Sequence, residues 1–311
     1  MIALIATLAV LADLLLGEPR RAHPLVGFGR TAQHIERALH GGTDRTATLR
    51  GVLALMLAVI PPTALCAALL ALLGEMPAVV AAIEIAVLCF VLGHRSLREH
   101  AGAVRSALRL ADLPLACRRV GDMVSRDTGE MDGPRIVAAT VESVLENGSD
   151  AVFGALFWFA VAGAPGALAY RLVNTLDAMW GYRTPRYQHF GWAAARLDDG
   201  LNWMPARLTA LSYALLGSSR SAWHCWRSQA PLWDSPNGGP VMAAGAGALQ
   251  IRLGGTATYH GISKTRPALG MGAEPGIADI ERSLRLVSHG LLLWLAALWL
   301  ISLGLAVVID A

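Results

Sequence analysis

Apolar residues run along this chain in blocks too long for the amphipathic helices of a water-soluble domain. From Gly51 to Gly74, 24 residues pass without one charged side chain, enough at about 1.5 Å per residue to cross a hydrocarbon layer of about 30 Å. The run predicts a spanning helix kinked at Pro61 and Pro62, where neighbouring helices re-satisfy the freed carbonyls. After a Gly74-Glu75-Met76 turn, Pro77 to Gly93 is apolar except for Glu84, so the pair reads as a helical hairpin in which Glu84 needs a partner. Gly290 to Ile309, 20 uncharged residues that include Trp294 and Trp299, predicts another span. Met1 to Leu16, interrupted by Thr7 and Asp13, predicts one more; it lacks the positive n-region and cleavage site of a signal peptide.

Ala151 to Tyr170 is also uncharged, but Gly163-Ala164-Pro165-Gly166 breaks it after 12 residues, too few to span. It is expected to form a buried or re-entrant helix pair at the membrane surface, as is Leu208 to Leu216. Charge placement agrees. Of 26 basic residues, six fall in Arg20–Arg50 and 20 in Arg95–Arg285, and cytoplasmic loops collect such residues. Both termini are then expected outside, with 17–50 and 94–289 cytoplasmic. The expected fold is all-α: one polytopic membrane domain over 1–311, with about four spans (1–16, 51–73, 77–93, 290–309), re-entrant or interfacial helices and a large cytoplasmic catalytic insert over 94–289. A five-span alternative arises if Ala151–Tyr170 crosses, which would carry Arg183, Arg186, Arg196 and Arg207 outside.

Composition sharpens this picture. The chain is 54% apolar and 16% charged, with mean hydropathy +0.47, against roughly 25% charged in a soluble domain. A disordered chain, a basic nucleic-acid-binding tail and a freely soluble enzyme are excluded, so no nucleic-acid partner is expected. The net charge of +3 rests on 25 Arg and one Lys, Lys264. Cys66, Cys89, Cys117 and Cys225 are scattered without a CxxC, which indicates inert thiols rather than disulfides or zinc.

Four polar, glycine-bearing blocks stand out: Asp13-x3-Gly17-Glu18-Pro19-x3-His23-Pro24-x2-Gly27; Glu142-x3-Glu146-Asn147-x2-Asp150; Tyr170 to Arg207; and Ser235 to Gly261. The third reads YRLVNTLDAMWGYRTPRYQHFGWAAARLDDGLNWMPAR and the fourth contains SPNGG and LGGTATYHG. Together they resemble the CobD/CbiB family of cobalamin-pathway membrane proteins, the adenosylcobinamide-phosphate synthases, from Asp13 to about Gly270. The resemblance implies ATP-dependent, Mg2+-assisted ligation in the cell (inner) membrane, with the active site facing the cytoplasm. A propionate carboxylate of the corrinoid adenosylcobyric acid is joined to the amine of (R)-1-aminopropan-2-ol O-phosphate. It also implies a homo-oligomer or association with other membrane proteins of that pathway. Two positions depart from the family pattern: Met242 replaces an acid, and Trp233 stands where a His often precedes Ser-Pro-Asn.

Amide formation from a carboxylate requires an acyl phosphate or equivalent, so the site must hold polyanions and exclude water. No Walker-type phosphate loop is present. Glycines 245, 247, 254 and 255 admit two readings, close backbone approach to phosphate or close packing of helices. Glu142, Glu146 and Asp150 recur every four residues and would repel along one helix stripe. Either magnesium with nucleotide phosphates or a solvated face paired to Arg135 answers that repulsion. With the family resemblance, the candidate metal set is Glu142, Glu146, Asp150 and Asp177. Catalytic roles are assigned to Glu146, Asp177 and Asp199.

Asn174 and Asp177, like Asp199 and Asn202, are three apart and share a helix face, which Tyr170 extends. Substrate binding or helix capping would both use them. Arg196 and Arg207 suit phosphate. Asp13, Glu18 and His23 are assigned to binding near the end of the first span, together with Tyr182, Ser235, Asn237, Gly254, Gly255 and Tyr259. For Ser235 the competing reading is a helix N-cap; Trp and Tyr in these blocks suit either stacking or interfacial anchoring. A non-catalytic membrane sensor on the same fold is the alternative function. A transporter is disfavoured because Glu84 is almost alone as an ionisable group deep in a span. Cysteine labels at 75 and after 309 should react from outside and labels near 120, 190 and 230 from inside; outside labelling near 190 contradicts the four-span arrangement.

Overall fold

A computed structural model describes residues 1–17, 24–259 and 261–309. Its elements are α1 (Ile2–Leu16), α2 (Pro24–Leu39), α3 (Asp44–Leu72), α4 (Pro77–Val91), α5 (His94–Arg109), α6 (Leu113–Gly121), α7 (Gly133–Gly148), α8 (Ala155–Trp180), α9 (Trp192–Leu216), α10 (Ser219–Gln229), α11 (Gly238–Leu249), the strands β1 (Arg252–Tyr259) and β2 (Ile262–Gly270), and α12 (Ile277–Ile309). A wide π-turn over Ser149–Gly154 joins α7 to α8. The protein is an all-α polytopic membrane protein. Leu53, Met56, Ile60 and Leu72 of α3 and Leu292, Leu300 and Ile301 of α12 face outward, an arrangement costly in water and favourable against lipid.

Among the described residues, four helical runs have the length and hydropathy to cross a membrane: Asp44–Leu72, Pro77–Arg109, Gly133–Trp180 and Ile277–Gly304. The number matches the sequence expectation and the membership does not. The N-terminal helix has 15 residues and reaches only about 22 Å at 1.5 Å per residue, short of the expected span. Gly133–Trp180 enters instead. It is broken where the sequence placed a break, with Ala162 at φ −136, ψ 19 and Gly163 at φ 63, ψ −160.

The chain divides into two compact units. The first comprises 1–93, 154–202 and 298–311. There α3 and α4 pack on α8, α1 on α4, and α2 on α3. Its core joins Ala54, Leu55 and Ala58 to Leu176, Trp180 and Phe190. Gly51 lies so close to the Phe190 carbonyl that a Cβ would sit 2.0 Å from the oxygen. Glu84 finds its partner at the α8 break, where its carboxylate accepts from the backbone N–H of Ala164.

The second unit comprises 94–153 and 203–297. Here α5 packs on α6 and α7, and α11 on α10, α7 and β2. Every residue of α11 is buried. Gly245 packs on Leu145 and Gly247 on the backbone of Ala222, which decides these two glycines for close packing. The antiparallel hairpin β1–β2 is a local exception to the all-α expectation. Thr256, Thr258, Tyr259, Ile262 and Thr265 suit strands, and Gly261 takes φ +78 in the turn.

Gly51→Ala should lower the thermal stability of the protein in detergent by the about 1–3 kcal/mol typical of overpacking. Gly27→Ala, whose Cβ meets nothing within 4 Å, should leave it unchanged or slightly raised.

Candidate functional site

Three of the four polar blocks meet at one turn in the second unit. Ser235-Pro236-Asn237 leads into α11, and the Ser235 Oγ accepts from the backbone N–H of Asn237 (3.3 Å) and of Gly238 (2.9 Å). Ser235 thus closes the turn that precedes α11, whose N-cap position is Asn237. Arg207 of α9 donates to Asn237 Oδ1 (2.7 Å), to the Pro236 carbonyl (3.0 Å) and to the Trp203 carbonyl (2.9 Å), with its guanidinium 4.6 Å over the Trp203 ring. Partial burial pulls its pKa down. Arg207 therefore braces the turn. Glu146 of α7 completes the cluster: a Cβ on Gly238 would lie 2.6 Å from Glu146 Oε1 and 3.3 Å from Met242 Cε. Glycine at 238 is what lets this carboxylate reach the N-terminus of α11, where the helix dipole favours a negative group.

One turn earlier on α7, Glu142 is 2% exposed and fully engaged. Arg126 donates to it at 2.5 Å, Arg266 at 2.8 and 3.1 Å, and the Gly254 backbone N–H at 2.9 Å. Arg266 also stacks 5.4 Å over Trp233. Its partners are thus Arg126 and Arg266; Arg135 pairs with Asp132. Asp150 lies in the π-turn that follows α7. Among the described residues no group of three or more His, Cys, Asp or Glu is placed to hold a metal ion.

In the first unit, α8 and α9 share a buried polar chain. The Tyr170 hydroxyl donates to Asn202 Oδ1 (2.7 Å), the Asn202 amide to Asp198 Oδ2 (3.0 Å), and the Asn174 amide to Asp198 Oδ1 (3.2 Å). The carboxylate that pairs with Asn202 is Asp198, not Asp199. Asp199 instead joins Arg196, Tyr182, Arg183, Tyr187 and Trp192 around a cleft of about 370 Å³. Burial pushes the Asp199 pKa up, and the Arg196 and Arg183 charges oppose this. Asp177 sits where the chain leaves α8, against Gly181 of the cleft wall; a Cβ there would meet its Oδ1 at 2.0 Å. The loop from 181 to 191 is held by Glu36, whose carboxylate accepts from Trp180 Nε1 (3.2 Å), Arg186 (2.8 Å) and the Tyr187 hydroxyl (3.1 Å).

Comparison with known proteins bears on this arrangement directly. The family described as CobD/Cbib protein matches residues 6–287. The chain belongs to this family. Proteins named cobalamin biosynthesis protein CobD are similar to it: 55% identical in Chromobacterium violaceum, over 99% of this chain and 98% of the relative; 58% in Stutzerimonas stutzeri, over 93% and 94%; 40% in Mycobacterium tuberculosis, over 88% and 87%. No solved structure matches.

Both departures from the CobD/CbiB pattern have a physical setting. Trp233 covers Arg266. Met242 is buried beside Gly238, within reach of the space that Glu146 fills. Glu274 and Asp234, the nearby acids in sequence, are spent on Arg252 and Lys264. Of the remaining candidates, Asp13 is buried on α1, Gly255 takes φ +79 beside open space, and Tyr259 ends β1 paired with Ile262. Glu18 and His23 lie outside the described residues. Sequence reasoning missed Glu36, Arg126, Arg266 and Asp198; only Asp198 left a signal, its four-residue spacing from Asn202.

Burial raises Asp198 from its ordinary 3.8 to about 6, against the hydrogen bonds from Asn174 and Asn202. Across that interval the folded protein holds a proton that the unfolded chain has released, so stability falls as pH rises from about 4 to 6. The fall should be of the order of 2–3 kcal/mol in pH-dependent unfolding, and Asp198→Asn should flatten it.

Proposed function

We propose that this protein performs an amide-forming step of cobalamin biosynthesis. ATP converts a propionate carboxylate of adenosylcobyric acid into an acyl phosphate and leaves as ADP. The amine of (R)-1-aminopropan-2-ol O-phosphate then attacks the acyl carbon, releasing inorganic phosphate and a proton and giving adenosylcobinamide phosphate. The convergence of Glu146, Arg207 and Ser235–Gly238 at one turn carries the reading, because three separated stretches of a CobD/CbiB family chain meet there around a carboxylate.

In this reading Glu146 takes up the proton that the amine loses. Arg207 and the Ser235 hydroxyl keep the turn rigid around it, and the aromatic, arginine-bearing cleft beside Asp177 and Asp199 receives a planar or phosphorylated substrate. Magnesium brought in with nucleotide phosphates needs one or two protein carboxylates and neutralises phosphate charge when bound. Asp177, beside the aromatic cleft, fits that demand; Glu142, held by two guanidinium groups, does not. The proposed setting is the cell inner membrane with this chemistry on the cytoplasmic face, as the arginine distribution favours. Homo-oligomerisation or association with other membrane proteins of the pathway is part of the same proposal.

Buried Met242 favours a second reading, a non-catalytic sensor that binds corrinoid on this fold. Purified protein supplied with adenosylcobyric acid, ATP, Mg2+ and the phosphorylated amine should form the amide. Glu146→Gln and Asp177→Asn should each reduce turnover by about 10²-fold with the fold intact. Corrinoid binding without any ligation would support the sensor. Met242→Glu buries a second acid beside Glu146 and should lower thermal stability rather than raise turnover.

A further inference from the structure

A cleft of about 620 Å³ opens between one face of the β1–β2 hairpin, the 126–131 loop and α7, within the size range of small-molecule sites. Its floor holds Arg126 and Arg266, whose side chains are only 11% and 9% exposed. Among the described residues Glu142 is the one carboxylate in ion-pair reach of either. Two buried guanidinium groups thus share one carboxylate and leave one positive charge in excess. The Trp233 ring offsets part of that charge without supplying an anion. Asp127 and Glu130 also line the cleft but are exposed, where water screens them far more than it screens the arginines.

The rest of the lining is rich in hydrogen-bond donors. Thr256 and Thr258 alternate along β1, so their side chains share one face, and Ser263 is paired with Thr258 across the hairpin. Arg135 stands at the rim. Hydroxyls above a floor with excess guanidinium charge match the several oxygens of a phosphate group better than a lone carboxylate. Asp127 ties the hairpin down at two points, its backbone N–H donating to the Thr258 carbonyl (2.8 Å) and its carboxylate accepting from the Gly261 N–H (2.7 Å). The cleft is thereby held shaped.

We propose that this cleft is a binding site for a phosphate-bearing small molecule, with Arg126 and Arg266 contacting the phosphate and Thr256, Thr258 and Ser263 completing its hydrogen bonds. The site rests on the charge balance and lining of the cleft, its two candidate ligands rest on the ligation reading, and pyrophosphate binding tests the site apart from that reading. The phosphate can belong to a nucleotide or to a phosphorylated amino alcohol, and competition separates the two.

The test is equilibrium binding of radiolabelled pyrophosphate to the full-length protein in detergent at constant ionic strength, with sulfate as control. Saturable binding at least 10-fold tighter than sulfate is expected. Arg126→Gln should weaken it 10-fold or more. Because that change also disturbs Glu142, Thr256→Glu serves as the second variant: it adds a negative charge at an exposed position of the lining, should leave the melting temperature unchanged and should weaken binding 10-fold or more. Displacement by ATP but not by aminopropanol phosphate assigns the site to a nucleotide, and the reverse assigns it to the phosphorylated amine. Binding no tighter than sulfate, or parental affinity in folded Thr256→Glu, overturns the proposal.

Discussion

A carboxylate withdrawn from water in an apolar protein must be met by cations and donors, and Glu142 is met by two guanidinium groups and a backbone N–H. That one group ties α7, the loop at Arg126 and the β hairpin together. It also fixes the neighbourhood of Glu146, a single helical turn away, because the same helix presents both. Glu36 does the equivalent work in the first unit, where it gathers Trp180, Arg186 and Tyr187 and sets the loop that forms the aromatic cleft. Each polar region is therefore positioned by a buried carboxylate that does not itself line the cleft it supports.

The apolar part of the chain follows the same rule at smaller scale. Glu84, costly in a membrane helix if alone, is hydrogen-bonded to the backbone of Ala164 beside the break at Gly163. Trp294 donates to Ser212 and Trp299 to Thr7, so these indoles are partnered within the protein as well as suited to an interface.

Much of this was legible beforehand, for physical reasons. Long uncharged runs betray membrane helices because hydrocarbon tolerates nothing else, and Gly163-Ala164-Pro165-Gly166 betrayed a break because proline and glycine interrupt helical hydrogen bonding. The faces bearing Tyr170, Asn174 and Asn202 could be read because helical spacing stacks them. The partners of Glu142 could not be: Arg126 and Arg266 are 16 and 124 residues away, and a chain with 25 arginines offers many equivalent choices. The hairpin was hidden because its glycines also suit helix packing, as Gly245 and Gly247 show. Asp198 was passed over because Asp199 beside it has the same chemistry, and one residue turns a helix by about 100°, which separates a buried position from a half-buried one.

The central claim, that Glu142 locally holds the hairpin to α7, is open to hydrogen exchange measured by mass spectrometry on the Glu142→Gln protein. Amides of 252–259, 261–270 and the loop around Arg126 should exchange at least about 10-fold faster than in the parent, since a lost buried ion-pair partner costs several kcal/mol. Those of α3, α8 and α12 should be unchanged. Unaltered protection of the hairpin, or a uniform loss across the chain, would contradict the account.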